Sequence, residues 1–290
     1  MLADFLNLLI NGLIEGLVIA LPALALTLIM GINRFPNAAA GDTMTLGAYA
    51  VLGLQQVGVA FFSLAVLGAL AAGALLSWLS YRLVFQRLAR APMVASLLAA
   101  IGIGFMIRSV IGIVAGQDLH TFGLPLTRAW NWGGVRVLPT DLQIAAASLV
   151  LLALVFCWLQ LSASGRQLRA IADNPDLARL SGIRSRRLMW LLWLLSGALC
   201  AAGGVLLGVK AVVTPDMGWE MLLPAFAAMI LGGIGHPVGA VLGAVLMGMA
   251  QELSVPLVGP SYKIAVAFVA MLLVLLVRPG GLLGHVEKVR

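Results

Sequence analysis

The 290-residue chain is 62% hydrophobic and only 10% charged, with 18 basic against 11 acidic side chains. A soluble globule carries about 25% charged residues, so this sequence lacks the polar surface to cover one and reads as a single polytopic membrane domain, 1–290. The net charge of +7 does not point to nucleic acid, because lysine and arginine collect in the cytoplasmic loops of membrane proteins.

The chain starts with Asp4 and Glu15 where a cleaved leader would carry basic residues, so the first apolar stretch is expected to stay as a membrane segment. Crossing a ~30 Å hydrocarbon slab takes about 20 mostly apolar residues in a helix. In chain order, 5–30, 61–81, 92–115, 142–161, 188–213 and 261–277 meet that test. Residues 38–57 are interrupted by Asp42, Thr43 and Thr45, and 219–254 is too long for one span. The latter breaks at Gly232-Gly233-Ile234-Gly235-His236-Pro237, a run that a straight helix does not tolerate. It divides into 222–234 and 238–253. The predicted fold is all-α: a transmembrane helical bundle of about eight or nine segments, some broken or re-entrant.

Basic residues set the orientation. Segment 163–187 holds Arg166, Arg169, Arg179, Arg184, Arg186 and Arg187 against Asp173 and Asp176. Arg82, Arg87 and Arg90 form a second group, and Arg278, Lys288 and Arg290 outnumber Glu287 in the tail. The positive-inside rule places these three groups in the cytoplasm, with 115–141 and 210–221 outside. Nine segments with an outer N-terminus follow if 38–57 crosses, eight if it re-enters.

Small residues recur four apart at Gly12/Gly16, Ala69/Gly73, Gly239/Gly243 and Ala240/Ala244, a spacing that lets helix backbones approach closely. Trp130 and Trp132 fit interfacial anchors. Cys157 and Cys200 lie in apolar runs and are expected to be small buried hydrophobes.

Catalytic chemistry is missing from the pattern. The chain has no G-x-x-x-x-G-K-[ST] phosphate loop, no H-E-x-x-H and no G-x-S-x-G elbow, and His120, His236 and His285 are scattered. Neither an enzyme nor a resident metal or cofactor is expected. Glu15, Arg108, Glu252 and Lys263 fall in or beside spans, where a charge is expensive and must be functional or paired. Arg108 is deep enough to attract a carboxylate.

The longest inner loop carries the signature of two short helices. Arg166 and Arg169 share one face of the first, with Leu168, Ile171 and Ala172 on another. Asn174 then caps a second helix with Pro175 at its first position, and Gly182 closes it. Such a structured inner loop on a loop-poor bundle points to docking of a cytosolic partner.

Four stretches, in order along nearly the whole chain, resemble one family. They are Asn37-Ala38-Ala39-Ala40-Gly41-Asp42 with Leu46-Gly47-Ala48-Tyr49; the loop positions Gly165, Arg166, Leu168, Arg169, Ala170, Ala172, Asn174, Ala178, Gly182 and Ile183; Ala225 to Gly235 with Gly239 and Gly243; and Arg278 to Gly284. Together they are similar to the membrane-spanning subunits of ATP-binding-cassette importers of the branched-chain amino-acid type, the LivH-like permeases. The resemblance implies that 163–187 couples to ATPases through Gly165, Arg166, Arg169, Ala170, Asn174, Ala178 and Gly182. It also implies a second related permease, two cytoplasmic ABC ATPase subunits, a periplasmic solute-binding protein and a place in a bacterial inner membrane. A translocation path is expected near Asn37, Gly41, Asp42, Thr43, Arg108, Gly232 and Gly233. Ala40 replaces a customary His, Ala39 is unusually small and Pro224 stands where Lys is common, which widens the expected cargo to amides, urea and aromatic or other carboxylates. The rival is a stand-alone secondary carrier or channel built on the broken helices near Asn37 and Gly232.

Overall fold

Breaks in the apolar pattern become helix ends in the computed structural model, which describes residues 2–59, 61–89, 91–125, 127–132, 134–278 and 280–284. Arg90, Pro279, His285, Glu287, Lys288 and Arg290 lie outside the described residues. The helices are α1 Leu2–Asn33, α2 Ala39–Gln56, α3 Phe62–Ser80, α4 Met93–Ala115, α5 Pro139–Leu161, α6 Ala163–Asp173, α7 Pro175–Leu180, α8 Ser185–Lys210, α9 Met217–Gly232, α10 Pro237–Val258 and α11 Lys263–Val277. At the predicted glycine-rich break, Gly233 ends α9 with φ +107°, and the His236 Nδ1 accepts the Gly239 N–H to start α10, with Pro237 at its first position.

Contacts between loops sort the helix ends into two groups. Asn7 bonds the backbone of Gly134 and Arg136, and Gln55 donates to the Phe122 carbonyl. His120 and Val213 exchange two backbone hydrogen bonds. One end of the bundle therefore gathers the start of α1, the end of α2 and both loops predicted to be outside. At the other end, Gly31 meets Gly235 and Phe35 stacks on Phe85. Among the described residues the chain passes between these ends nine times, through α1 to α5 and α8 to α11. These nine passes match the larger of the two expected counts, for which the positive-inside rule places the N-terminus opposite the basic groups.

Helix α2 is the broken one. Ala39 lies beside Gly104, halfway along α4, so α2 begins at mid-depth and is reached by the non-helical stretch 34–38. Helix α1 is central, with Val18–Leu21 and Ala23–Ala25 wholly buried. Its Gly12 and Gly16 rest on the α10 backbone at Met249 and Val245, where an added Cβ would come within 2.8 and 2.6 Å of a Cα. Gly73 of α3 likewise faces α8, with Ala69 one turn earlier also buried, and Gly239 and Gly243 face α9. The four-residue spacings thus do the work expected of them, since lipid supplies no hydrophobic drive between helices and close van der Waals contact must replace it.

Helices α3, α4 and α5 form the periphery and present Leu67, Leu98, Met106, Ile113 and Leu154 outward. Cys157 departs from expectation: it is exposed on this rim, whereas Cys200 is buried. An apolar run in a peripheral helix faces lipid as readily as core. Two features were not legible in the pattern. A small antiparallel hairpin, β1 Trp130–Trp132 and β2 Val135–Val137, forms in the outer loop. A π-helical turn, Tyr81–Phe85, ends α3 and swings Tyr81 and Phe85 onto Trp193, with ring centroids 5.3 and 4.8 Å away.

Candidate coupling unit and embedded ion pairs

Helices α6 and α7 form a hook at the inner end, and each turn of it has a local cause. Ser162 leaves α5 in extended backbone and its hydroxyl accepts the Gly165 N–H at 2.9 Å, capping α6. Gly165 is required because a Cβ there would overlap the Leu159 carbonyl. Leu168 and Ile171 are buried against the bundle. Asn174 then accepts the N–H groups of Asp176 and Leu177, both at 3.1 Å, with Pro175 opening α7. Gly182, at φ +78°, returns the chain by donating to the Arg179 carbonyl, and Ala178 is buried beneath. The caps predicted at Asn174 and Gly182 are thus present.

The arginines are placed differently from one another. Arg166 donates to the Leu161 carbonyl at 2.9 Å and closes the C-terminus of α5. Arg169 lines a cleft of about 400 Å³ with Gln160, Asp173 and His236, and Ala170 is half-buried. The most exposed apolar side chains on the hook are Leu177 and Leu180, at 61% and 85%. Sequence reasoning passed over both. Their signal was two leucines three apart on a six-residue helix that is otherwise short of apolar positions.

Every membrane-embedded charge singled out in the sequence has an opposite partner. Glu15 pairs with Lys210 and Glu252 with Lys263. Arg108 donates through Nε and Nη2 to one oxygen of Asp42, at 3.0 and 2.9 Å, and reaches Asp216 at 3.4 Å. Its guanidinium also lies 4.9 Å from the Trp219 ring and 5.5 Å from Phe105, a geometry that stabilises a cation. The second Asp42 oxygen is buried, has no hydrogen-bond partner among the described residues and occupies the space left by Gly104.

That arrangement makes an asymmetric prediction. Asp42 is 1% exposed with Arg108 as its counter-ion, whereas Arg108 keeps Asp216 and two rings. Arg108→Gln is expected to cost about 3–5 kcal/mol by stranding a buried carboxylate, and Asp42→Asn less. The double variant should be more stable than Arg108→Gln alone, as measured from denaturation midpoints of the purified chain.

The remaining path candidates are packed. Gly41 lies against Gly218, and Thr45 accepts the Gly218 N–H at 3.1 Å to cap α9. Thr43 bonds back to the Ala39 carbonyl, and Asn37 is buried. Gly232 abuts the Gly239 backbone, and Gly233 abuts Gly284. The segment 281–284 folds over this break, where the N–H groups of Leu282 and Leu283 satisfy the carbonyls of Leu231 and Gly232 at 2.8 and 3.1 Å. The backbone of the C-terminal motif thus serves as a cap on α9. Asp42, Arg108 and Gly41 converge where α2, α4 and α9 meet; Gly232 and Gly233 sit at the opposite end.

Residues 8–277 match the family described as "Branched-chain amino acid transport system / permease component". The chain is 31% identical to the high-affinity branched-chain amino acid transport system permease protein BraD of Pseudomonas aeruginosa, over 98% of both chains. It is 30% identical, over the same shares, to the corresponding LivH protein of Escherichia coli K12. The structure of PsaBC from Streptococcus pneumoniae in complex with Fab contains a chain of similar fold, with a TM-score of 0.52 and 14% identity over 97% of each chain. The family match over residues 8–277, with relatives about 30% identical over nearly the full length, shows that this chain belongs to the branched-chain amino-acid transport system permeases.

Proposed function

We propose that this chain is one permease subunit of an ATP-driven importer in a bacterial inner membrane. In this reading it pairs with a second related permease, is driven by two cytoplasmic ABC ATPase subunits and receives solute from a periplasmic binding protein. Its cargo is an amino acid or a related small polar or carboxylate solute.

The observation that carries the reading is the hook itself. Helix α7 is fixed at its start by Asn174 and at its end by Gly182, and it holds two leucines away from the bundle. A rigid short helix with an unburied apolar pair is a surface made to be covered. The hook also has leverage. It joins α5 through the single residue Ser162 and α8 through residues 181–184, so displacing it tilts both helices. ATP binding in the partner would thus bias an outward–inward equilibrium through differential contacts, with no chemistry on this chain.

Uptake in proteoliposomes tests this. The complete assembly should accumulate labelled leucine with ATP inside the appropriate compartment and should lose uptake when ATP is withheld. Gradient-driven uptake by this chain alone, without ATPases, would favour the stand-alone carrier and overturn the proposal.

A further inference from the structure

The seam between α3 and α8 changes character toward the inner end. Gly73 and Gly197 let the two backbones touch at mid-span. Farther in, Trp78 and Trp190 meet edge to face, with ring centroids 6.0 Å apart, and both are half-buried. Each ring carries an arginine: the Arg82 guanidinium lies 5.3 Å from Trp78, and that of Arg186 lies 5.7 Å from Trp190. The π-helical turn places the first of these. It turns Tyr81 and Phe85 inward onto Trp193 and leaves Arg82 exposed, one turn past Trp78. Arg186 sits in the first turn of α8, directly after the hook.

Arg82, Trp78, Trp190 and Arg186 thus form one continuous row across two helices, at the depth where the chain leaves the hydrocarbon. Both guanidiniums are exposed, and among the described residues neither has an acidic partner or a hydrogen bond. The embedded cations Arg108, Lys210 and Lys263 differ, since each is neutralised by a carboxylate of this chain. The charge of the row is left for something outside the chain. A ring face holds a guanidinium in place, tryptophan settles at headgroup depth, and guanidinium donors match phosphate oxygens in geometry. We propose that this row is a binding surface for anionic phospholipid headgroups of the inner leaflet. Their phosphate oxygens accept from Arg82 and Arg186, and their acyl chains run along Leu75, Leu79 and Leu83, an exposed stripe on α3 beside Trp78. A zwitterionic headgroup brings its own ammonium, which the arginines repel, so the surface favours the anionic lipid. This assignment does not depend on the importer reading.

The test is native mass spectrometry of the purified full chain, with phosphatidylglycerol and phosphatidylcholine of identical acyl chains as probes. Wild type should retain phosphatidylglycerol preferentially. The double variant Arg82→Gln/Arg186→Gln should bind it roughly tenfold more weakly, with phosphatidylcholine unchanged. Arg128→Gln/Arg136→Gln removes the same charge from the outer loop, where both side chains are exposed, and should keep the preference. Equal retention of the two lipids by wild type, or equal loss in the two double variants, overturns the surface. A second measurement needs no arginine variant. Phosphatidylglycerol brominated on its acyl chains near the headgroup should quench tryptophan fluorescence more than phosphatidylcholine brominated alike, and Trp78→Phe/Trp190→Phe should abolish the difference. Equal quenching by the two lipids contradicts the proposal. So does disappearance of the preference when the ATPases assemble on the chain, which would assign the row to an acidic protein surface instead.

Discussion

Replacing Leu177 and Leu180 together by aspartate is expected to lower ATP-driven uptake at least a hundredfold and to abolish copurification of the ATPases. The two side chains are 61% and 85% exposed on a helix whose backbone is otherwise held in place. Burying a leucine contributes about 1.5–3 kcal/mol, so the pair contributes about 3–6 kcal/mol to docking, or two to four orders of magnitude in affinity. Aspartate removes that gain and adds the penalty of an unpaired charge in an apolar contact. Both positions project away from the bundle, so membrane insertion and thermal stability of the purified chain should not change. A variant that docks and transports normally would show that the arginine face of α6, rather than α7, makes the contact.

Glycine positions make the second large prediction, with opposite signs at two places. Gly204 of α8 is pressed against α2 so closely that a Cβ would overlap the Met44 carbonyl oxygen, and one turn earlier Ala201 meets Gly47 with an added Cβ only 2.6 Å from its Cα. Gly73 and Gly197 continue the seam onto α3. Gly204→Val would have to part backbones rather than move a flexible side chain, at a cost of about 3 kcal/mol or more. Its melting midpoint should fall sharply, with loss of monodisperse protein. By contrast, Gly53 lies on the same α2 with nothing within 4 Å of an added Cβ. Gly53→Ala removes a helix-interior glycine penalty of about 0.5–1 kcal/mol and should stabilise the chain slightly.

Much of this was legible beforehand because each signal was local. Apolar length specified the spans, since a helix satisfies its own backbone groups and needs no neighbour to do so in lipid. The Gly232–Pro237 break, the Asn174 and Gly182 caps and the small-residue seams likewise depend on a few adjacent residues. The arginine excess in 163–187 assigns that loop to the inner side by the positive-inside rule.

Other features belong to the fold alone. Asp42, Arg108 and Asp216 are separated by 66 and 108 residues along the chain, and only the meeting of α2, α4 and α9 makes them one ion cluster. The same holds near the outer end, where Lys210 and Lys263 meet Glu15 and Glu252 from other helices. Whether α2 crosses or re-enters was settled by Gln55 reaching Phe122 and Ala39 lying beside Gly104. By itself the sequence determined a multi-pass membrane helix bundle with a capped inner hook, because hydrophobic length, caps and loop charge act over a turn or a loop. Which charges neutralise one another was decided by tertiary structure, because Coulomb attraction depends on distance in space and not on separation along the chain.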